Sequence, residues 1–366
     1  MTPKQYDISK NPEYAKRQMF LDGNVTIQRY DEFAYPKIAA LAQEQRGAHW
    51  VPEEISLVKD KADFKKADKA TKHLFSSNLL RQTALDSFQA KAPIQVFAPV
   101  CSIPEMESLM NAWSYFEEIH SRTYSYIIRS IYNVPSEQFN AIHDTSAIVS
   151  MASNIGKYYH DLHLLNCKTD LGYEVSEHEY VKAIWMALVA SYGLEAIRFT
   201  VSFATSLAMG ENKIFIGNTD EIKLIQQDEI LHAKWTKYIM NQVCKDDERF
   251  AQVRSEMQKE SYSALVSCID EEKDWAKYLF KEGSVIGLNE NMFIDFVDWT
   301  AADSLKGIGI KHKIPSRIKS SPFPWYSRST NTNKNQTANQ EKENTAYVAG
   351  QYTSELALDS LPDLSL

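Results

Sequence analysis

Nine histidines occur in the chain, and two of them, His120 and His232, follow a glutamate by three residues, Glu117 and Glu229. On a helix, positions i and i+3 share a face, so such a glutamate and histidine can bind one metal ion or help to bridge two. Chance supplies roughly one such spacing in a chain this rich in acids, so the pair alone says little. The wider spacing says more. Asp86 lies 31 residues before Glu117, and Glu195 lies 34 residues before Glu229. Each half reads as a helix bearing one carboxylate, a connection, and a helix bearing Glu-x-x-His. The sum is four carboxylates and two imidazoles.

That is the ligand set of ferritin-like di-iron or di-manganese bundles. Carboxylate oxygen and imidazole nitrogen suit iron or manganese, while the lack of paired thiolates argues against a closed zinc site. Each residue also has a plainer reading. Glu195 could pair with Arg198 at i+3, Asp86 could be solvated, and both histidines could be core residues bonded to backbone. Glu118 points about 100° away from Glu117 and reads as solvated or supporting. The cluster His160-Asp161-Leu162-His163 has metal-like spacing but no second half, and reads as surface, as does His178. Tyr124, four residues after His120, sits one turn further on the same face. Phe199 and Phe203 follow Glu195 at i+4 and i+8, and Ile225 precedes Glu229 at i−4. These three are expected to wall the tyrosine side of the site with apolar groups.

The elements that must position these groups read as helices. Glycine and proline are scarce, 12 each, and apolar residues recur at helical spacing, as in Ile127, Ile128 and Ile131. Turn signals stand at Lys91-Ala92-Pro93, Val134-Pro135-Ser136, Leu171-Gly172 and Gly217-Asn218. The expected fold is all-α, a ferritin-like di-metal carboxylate bundle with additional helices, over residues 30–315. Residues 1–29 read as irregular, with a turn at Asp22-Gly23. Residues Tyr180 to Phe203 form the least polar stretch, expected to be a central buried helix. Residues 316–366 read as a flexible tail: Ser329 to Asn344 contains Ala338 as its only apolar residue, a composition that cannot offset ordering entropy. The tail ends in LALDSLPDLSL, an apolar peptide on a tether, which fits a docking role.

Bulk composition excludes other classes. A charge of −8 without any basic block predicts no nucleic-acid partner. The apolar stretch Ala183 to Leu194 is too short for a bilayer span. The N-terminus lacks an apolar signal segment, and the four cysteines form no Cys-x-x-Cys pair. A reducing, cytoplasmic setting is expected.

Several strings in combination resemble the small, radical-generating subunit of class I ribonucleotide reductase, of the iron–tyrosyl kind. They are His120-Ser-Arg-Thr-Tyr124, Leu194-Glu-Ala-Ile-Arg-Phe199, Asp228-Glu-x-x-His232, Trp50-Val-Pro-Glu-Glu54, Ser102-Ile-Pro-Glu105, Lys273-Asp-Trp-Ala276, Gly283-Ser-Val-Ile-Gly-Leu288 and Tyr347-Val-Ala-Gly-Gln351. The resemblance implies that Asp86, Glu117 and His120 hold one iron ion and Glu195, Glu229 and His232 the other, with Glu117 and Glu229 bridging. Manganese is an alternative metal. It implies a radical on Tyr124, and Trp50 and Asp228 as carriers of electron and proton from the site to the surface. It implies Tyr347 as a relay to the large catalytic subunit, which the last residues dock upon, and a homodimer. Three positions depart from the pattern: Phe116 and Glu118, where Ser and Thr are common, and Thr200, where an aromatic is frequent. A ferritin-like oxygenase would share the six ligands but would not need Tyr124, a surface Trp50 or a tethered peptide. An iron-storage protein would be a shorter chain of about four helices.

Overall fold

The computed structural model describes residues 13–326 except 286, 313 and 315–317, and leaves the side chain of residue 155 out. Tyr347 and the terminal leucine peptide therefore lie outside the described residues. Twelve α-helices run through the described part, and no β-strand longer than an isolated bridge occurs there.

Three helices begin with proline at their first position: α1 (Pro36–Gly47), α4 (Pro104–Ile131) and α5 (Pro135–Asp144). Proline suits that place, because the first N–H has no partner within the helix. After α2 (Val58–Lys66), α3 (Lys69–Gln89) is capped by Asp68, whose carboxylate accepts from the Thr71 N–H at 2.7 Å. Helices α6 (Ser146–Asp170) and α7 (Glu177–Gly193) are joined by a turn in which Gly172 has φ +84°. Helix α8 (Thr200–Glu211) is followed by α9 (Ile216–Asp246), α10 (Glu248–Glu256), α11 (Gln258–Leu279) and α12 (Glu290–Gly307).

The start of α9 corrects one expectation. Gly217-Asn218 is not a turn but the first turn of the helix; the chain reverses just before, where Lys213 and Phe215 adopt φ +61° and +50°. Asp60 of α2 accepts from the Gly217 and Asn218 N–H groups at 3.0 and 2.7 Å. A Cβ at residue 217 would stand 2.7 Å from the Ser56 carbonyl oxygen, so glycine is required there by close approach rather than by a turn.

Helix α4 packs on α1, α3 and α9, and α9 packs on α7 and α8. The expected central helix is present but is not regular. It runs from Glu177 to Glu211 as 35 helical residues, interrupted by a π-helical turn at Leu194–Arg198. By length and composition this rod could cross a membrane, contrary to the estimate from Ala183–Leu194 alone; its most apolar window is 94% buried within the fold. Past α12, some of the described residues are still packed on the bundle. Phe323 is buried against Phe293 and Phe296, so the packed part continues beyond the 315/316 boundary expected from composition.

Candidate metal centre

Asp86 stands in the last turn of α3, Glu117 and His120 in the middle of α4, Glu195 on the π turn, and Glu229 and His232 in the middle of α9. All six are buried. Donor atoms of Asp86, Glu117, His120 and Glu229 lie within 4.8 Å of one another, and so do those of Glu117, Glu195, Glu229 and His232. Glu117 and Glu229 belong to both groups. The structure thus brings together all six residues singled out by spacing. A π turn is a common device at functional sites, and here it carries Glu195.

His232 Nδ1 lies 2.8 Å from Glu229 Oε2 and 3.0 Å from Glu117 Oε1; His120 Nδ1 lies 3.1 Å from Glu229 Oε1. Both Nδ1 atoms therefore point into the carboxylates. Asp86 Oδ1 and Oδ2, Glu117 Oε2, Glu195 Oε2 and Glu229 Oε1 have no hydrogen-bond partner. Buried, unpaired carboxylate oxygens are costly unless a cation satisfies them. Two divalent ions would bring four positive charges to four carboxylates, so the donor set fits a di-metal centre. Without that charge, burial and the carboxylates of Glu117 and Glu229 push the Asp86 carboxyl well above its ordinary range. Burial, Glu229 and Glu117 do the same to Glu195. Burial works against protonation of His120 and His232, but the surrounding carboxylates together outweigh it, Glu229 with Asp228 and Glu117 at His120 and Glu229 with Glu117 and Glu195 at His232, and hold both well above the usual imidazole range.

Tyr124 is fully buried. Its hydroxyl makes no hydrogen bond of normal geometry, but it feels the Asp86 carboxylate. Burial first, and Asp86 and Glu229 next, raise its pKa well above that of a free phenol. Phe199, Phe203 and Ile225 are buried as expected. The two phenylalanines stack on each other at 5.0 Å, and no ring contact to Tyr124 is found among the described residues.

Asp228 joins the cluster to Trp50. Its Oδ2 accepts from Trp50 Nε1 at 2.9 Å and lies 3.1 Å from His120 Nε2; its Oδ1 accepts from Gln45 Nε2 at 2.7 Å. Trp50 also stacks on His120 at 6.2 Å. The expectation of a surface Trp50 is corrected: only 5% of it is exposed. The indole belongs to the core because its N–H must reach a buried carboxylate.

The plainer readings sort themselves. Arg198 pairs with Glu271 at 3.0 Å rather than with Glu195. Glu118, His160, Asp161, His163 and His178 are exposed. Phe116 and Thr200 are buried. Four supporting residues escaped the sequence reading. Trp113 donates to Glu117 Oε1 at 3.0 Å, and Gln89 donates to Glu195 Oε1 at 2.7 Å. Both stand one helical turn from a ligand candidate, Trp113 at i−4 from Glu117 and Gln89 at i+3 from Asp86, so helical spacing could have found them. Gln45 and Tyr159 carry no such signal. A cavity of about 280 Å³ beside Arg198 is lined by serines, Asn154 and Lys157, and by none of the six.

A family model described as "Ribonucleotide reductase, small chain" matches residues 28–322. The ribonucleoside-diphosphate reductase subunit beta of Haemophilus influenzae is 36% identical, with 99% of each chain covered. Subunit beta from Escherichia coli O157:H7 is also 36% identical over 99% of each chain, and that of phage T4 is 32% identical over 95% of this chain and 96% of its own. The chain belongs to the ribonucleotide reductase small-chain family. Among solved structures, the reductase R2 subunit from Clostridium botulinum superposes with TM-score 0.77, covering 89% of this chain and 98% of its own at 20% identity. Streptococcus sanguinis dimanganese(II)-NrdF gives 0.67, covering 84% and 99% at 18% identity. At those identities the likeness concerns the fold. As the small subunit of a class I enzyme, an oxidoreductase, the protein generates a radical by way of a di-metal centre and passes it to a catalytic subunit for ribonucleotide reduction.

Proposed function

We propose that Asp86, Glu117 and His120 hold one metal ion, that Glu195, Glu229 and His232 hold the other, and that Glu117 and Glu229 lie between them. Iron is the proposed metal; manganese suits the same oxygen and nitrogen donors. When bound, the two ions supply the oxidising chemistry that a polypeptide lacks. Tyr124 is the group oxidised: it gives up an electron and its Oη proton in a place closed to water. Phe199, Phe203 and Ile225 contribute to that closure. The observation that carries this reading is the unbroken chain Trp50–Asp228–His120, which leads from the cluster to an indole. Along it, Asp228 holds the proton acceptor beside the Trp50 N–H, while His120 Nε2–H fixes the same carboxylate oxygen.

Beyond the described residues, Tyr347 is the proposed next carrier and Leu356 to Leu366 the peptide that docks on the large subunit. The small subunit acts as a homodimer in the cytoplasm.

Electron paramagnetic resonance tests the reading. Protein loaded with ferrous iron and exposed to oxygen is expected to show a tyrosyl signal, and Tyr124→Phe to keep both metals and lose it. A wild-type signal from that variant would move the radical to another of the 19 tyrosines.

A further inference from the structure

A second buried hydrogen-bond chain leaves the cluster through Glu195 and plays no part in the path to Trp50. Gln89 of α3 donates from Nε2 to Glu195 Oε1 at 2.7 Å. Tyr159 of α6 donates its hydroxyl to Gln89 Oε1 at 2.6 Å and lies 2.8 Å from Ser191 Oγ of α7. All four side chains are buried. The chain thus runs from α7 and α6 through Gln89 of α3 to one carboxylate oxygen on the π turn.

The direction of this chain is fixed by chemistry. An amide can turn end for end, and only its neighbours decide which end is oxygen. A carboxylate oxygen can only accept, so the Gln89 NH₂ faces Glu195 and its carbonyl faces Tyr159. The Tyr159 hydroxyl then donates to that carbonyl, and Ser191 can donate to the phenol oxygen. Glu195 Oε1 is then engaged. Oε2 has no hydrogen-bond partner and stands 3.8 Å from His232 Nδ1, toward the cluster.

We propose that Gln89 and Tyr159 are positioning residues that hold Glu195 so that Oε2 alone faces the metal position it shares with Glu229 and His232, and so set the affinity of that position. This rests on the reading of Glu195 as a ligand. Without the Gln89 donor, Oε1 would be a buried, unpaired carboxylate oxygen. The carboxylate would then turn toward other donors and withdraw Oε2 from the position it shares with Glu229 and His232. Tyr159 never touches the carboxylate and acts only by fixing the amide.

The test is titration of the metal-free full chain with Mn(II) under anaerobic conditions, followed by calorimetry and by the free-ion resonance signal. Wild type is expected to take two ions per chain. Gln89→Leu should weaken one position by about 10–100-fold, the usual cost of losing a group that orients a ligand. Tyr159→Phe should weaken the same position by a smaller factor. The double variant should be no weaker than Gln89→Leu, because a residue acting only through another adds nothing once that other is gone. The carboxylate infrared bands of the loaded protein should shift in both single variants. Wild-type affinity and bands in Tyr159→Phe, or losses that add in the double variant, would overturn the proposal. Tyr159→Phe removes a single oxygen, so it carries the test even where Gln89→Leu fails to fold. Glu195→Ala separates the two levels. If it loses an ion while Gln89→Leu binds as wild type, only the positioning role fails; if it keeps both ions at full affinity, the ligand reading and the positioning role fall together.

Discussion

Asp228 offers the sharpest test of the path from the cluster to Trp50, because alanine and asparagine should separate its structural part from its chemical part. Its carboxylate serves three donors: Gln45 and Trp50 at 2.7 and 2.9 Å, and His120 Nε2 at 3.1 Å. Asp228→Ala orphans all three in the core. Each buried donor left unsatisfied costs ~1–3 kcal/mol, which puts the loss of all three at ~3–9 kcal/mol. That is a large part of the ~5–15 kcal/mol that holds a domain folded. Asp228→Asn behaves differently. Trp50 and His120 share one oxygen, Oδ2, so an amide oxygen placed there keeps both. The amide NH₂ then faces Gln45, whose Oε1 has no partner and can be turned toward it. What remains lost is the charge on the acceptor, worth about 1 kcal/mol per bond, or ~1–3 kcal/mol in all.

Asp228→Asn should therefore fold, bind two ions and show the Tyr124 signal, yet fail to turn over nucleotide with the large subunit. An amide cannot take the Trp50 proton at neutral pH. Denaturation of the loaded protein should rank wild type above Asn, and Asn well above Ala. Turnover near the wild-type rate in Asp228→Asn would refute the carrier role. Equal destabilisation by Asn and Ala would refute the hydrogen-bond accounting, since it would mean that the shared oxygen is not what holds Trp50 and His120.

Glu229→Ala or His232→Ala should lose at least one ion per chain by metal analysis, and full occupancy in both would remove them from the ligand set. Deleting Leu356 to Leu366 should leave the radical intact and abolish sedimentation with the cognate large subunit; undiminished complex formation would show that another surface is the anchor. Glu221 is buried with both carboxylate oxygens unpaired, and burial, with Glu53 next, pushes its pKa up to about 9. The folded state then keeps a proton that the unfolded chain releases near its ordinary carboxylate pKa. Stability should fall as pH rises from about 5 to 9, by at most ~1.4 kcal/mol per unit. Glu221→Gln should flatten that slope in urea unfolding of the full chain, and an unchanged slope would place the pH dependence elsewhere.

The ligand candidates were legible because a helix repeats every 3.6 residues and metal chemistry needs few residue types. Glu117 with His120 and Glu229 with His232 could be read from spacing alone. The π turn could not, since Leu194–Arg198 contains no glycine, proline or other residue that marks a widened turn, and that turn follows from packing. Gly217 misled for a related reason. Glycine serves both turns and close contacts, and only the approach of Ser56 and Asp60 decides between them. Trp50 was assigned to the surface by its role as a carrier, whereas its buried place follows from a partner 178 positions away along the chain.

The supporting hydrogen bonds show how far a periodic reading can go. Glu117, Glu195 and His120 each have a partner that is not itself a ligand candidate: Trp113, Gln89 and Asp228. Trp113 lies one turn from Glu117 on the same helix, and Gln89 lies one turn from Asp86, another ligand candidate. Asp228 immediately precedes Glu229. All three therefore lie within four residues of a ligand candidate. The residues that hold these partners in turn, Tyr159 on α6 and Gln45 and Trp50 near α1, come from elements with no ligand of their own. Each step outward from the metal position trades a contact set by helical period for one set by tertiary packing. That is the physical reason why the ligand candidates can be read from one sequence and the groups that tune them need the fold.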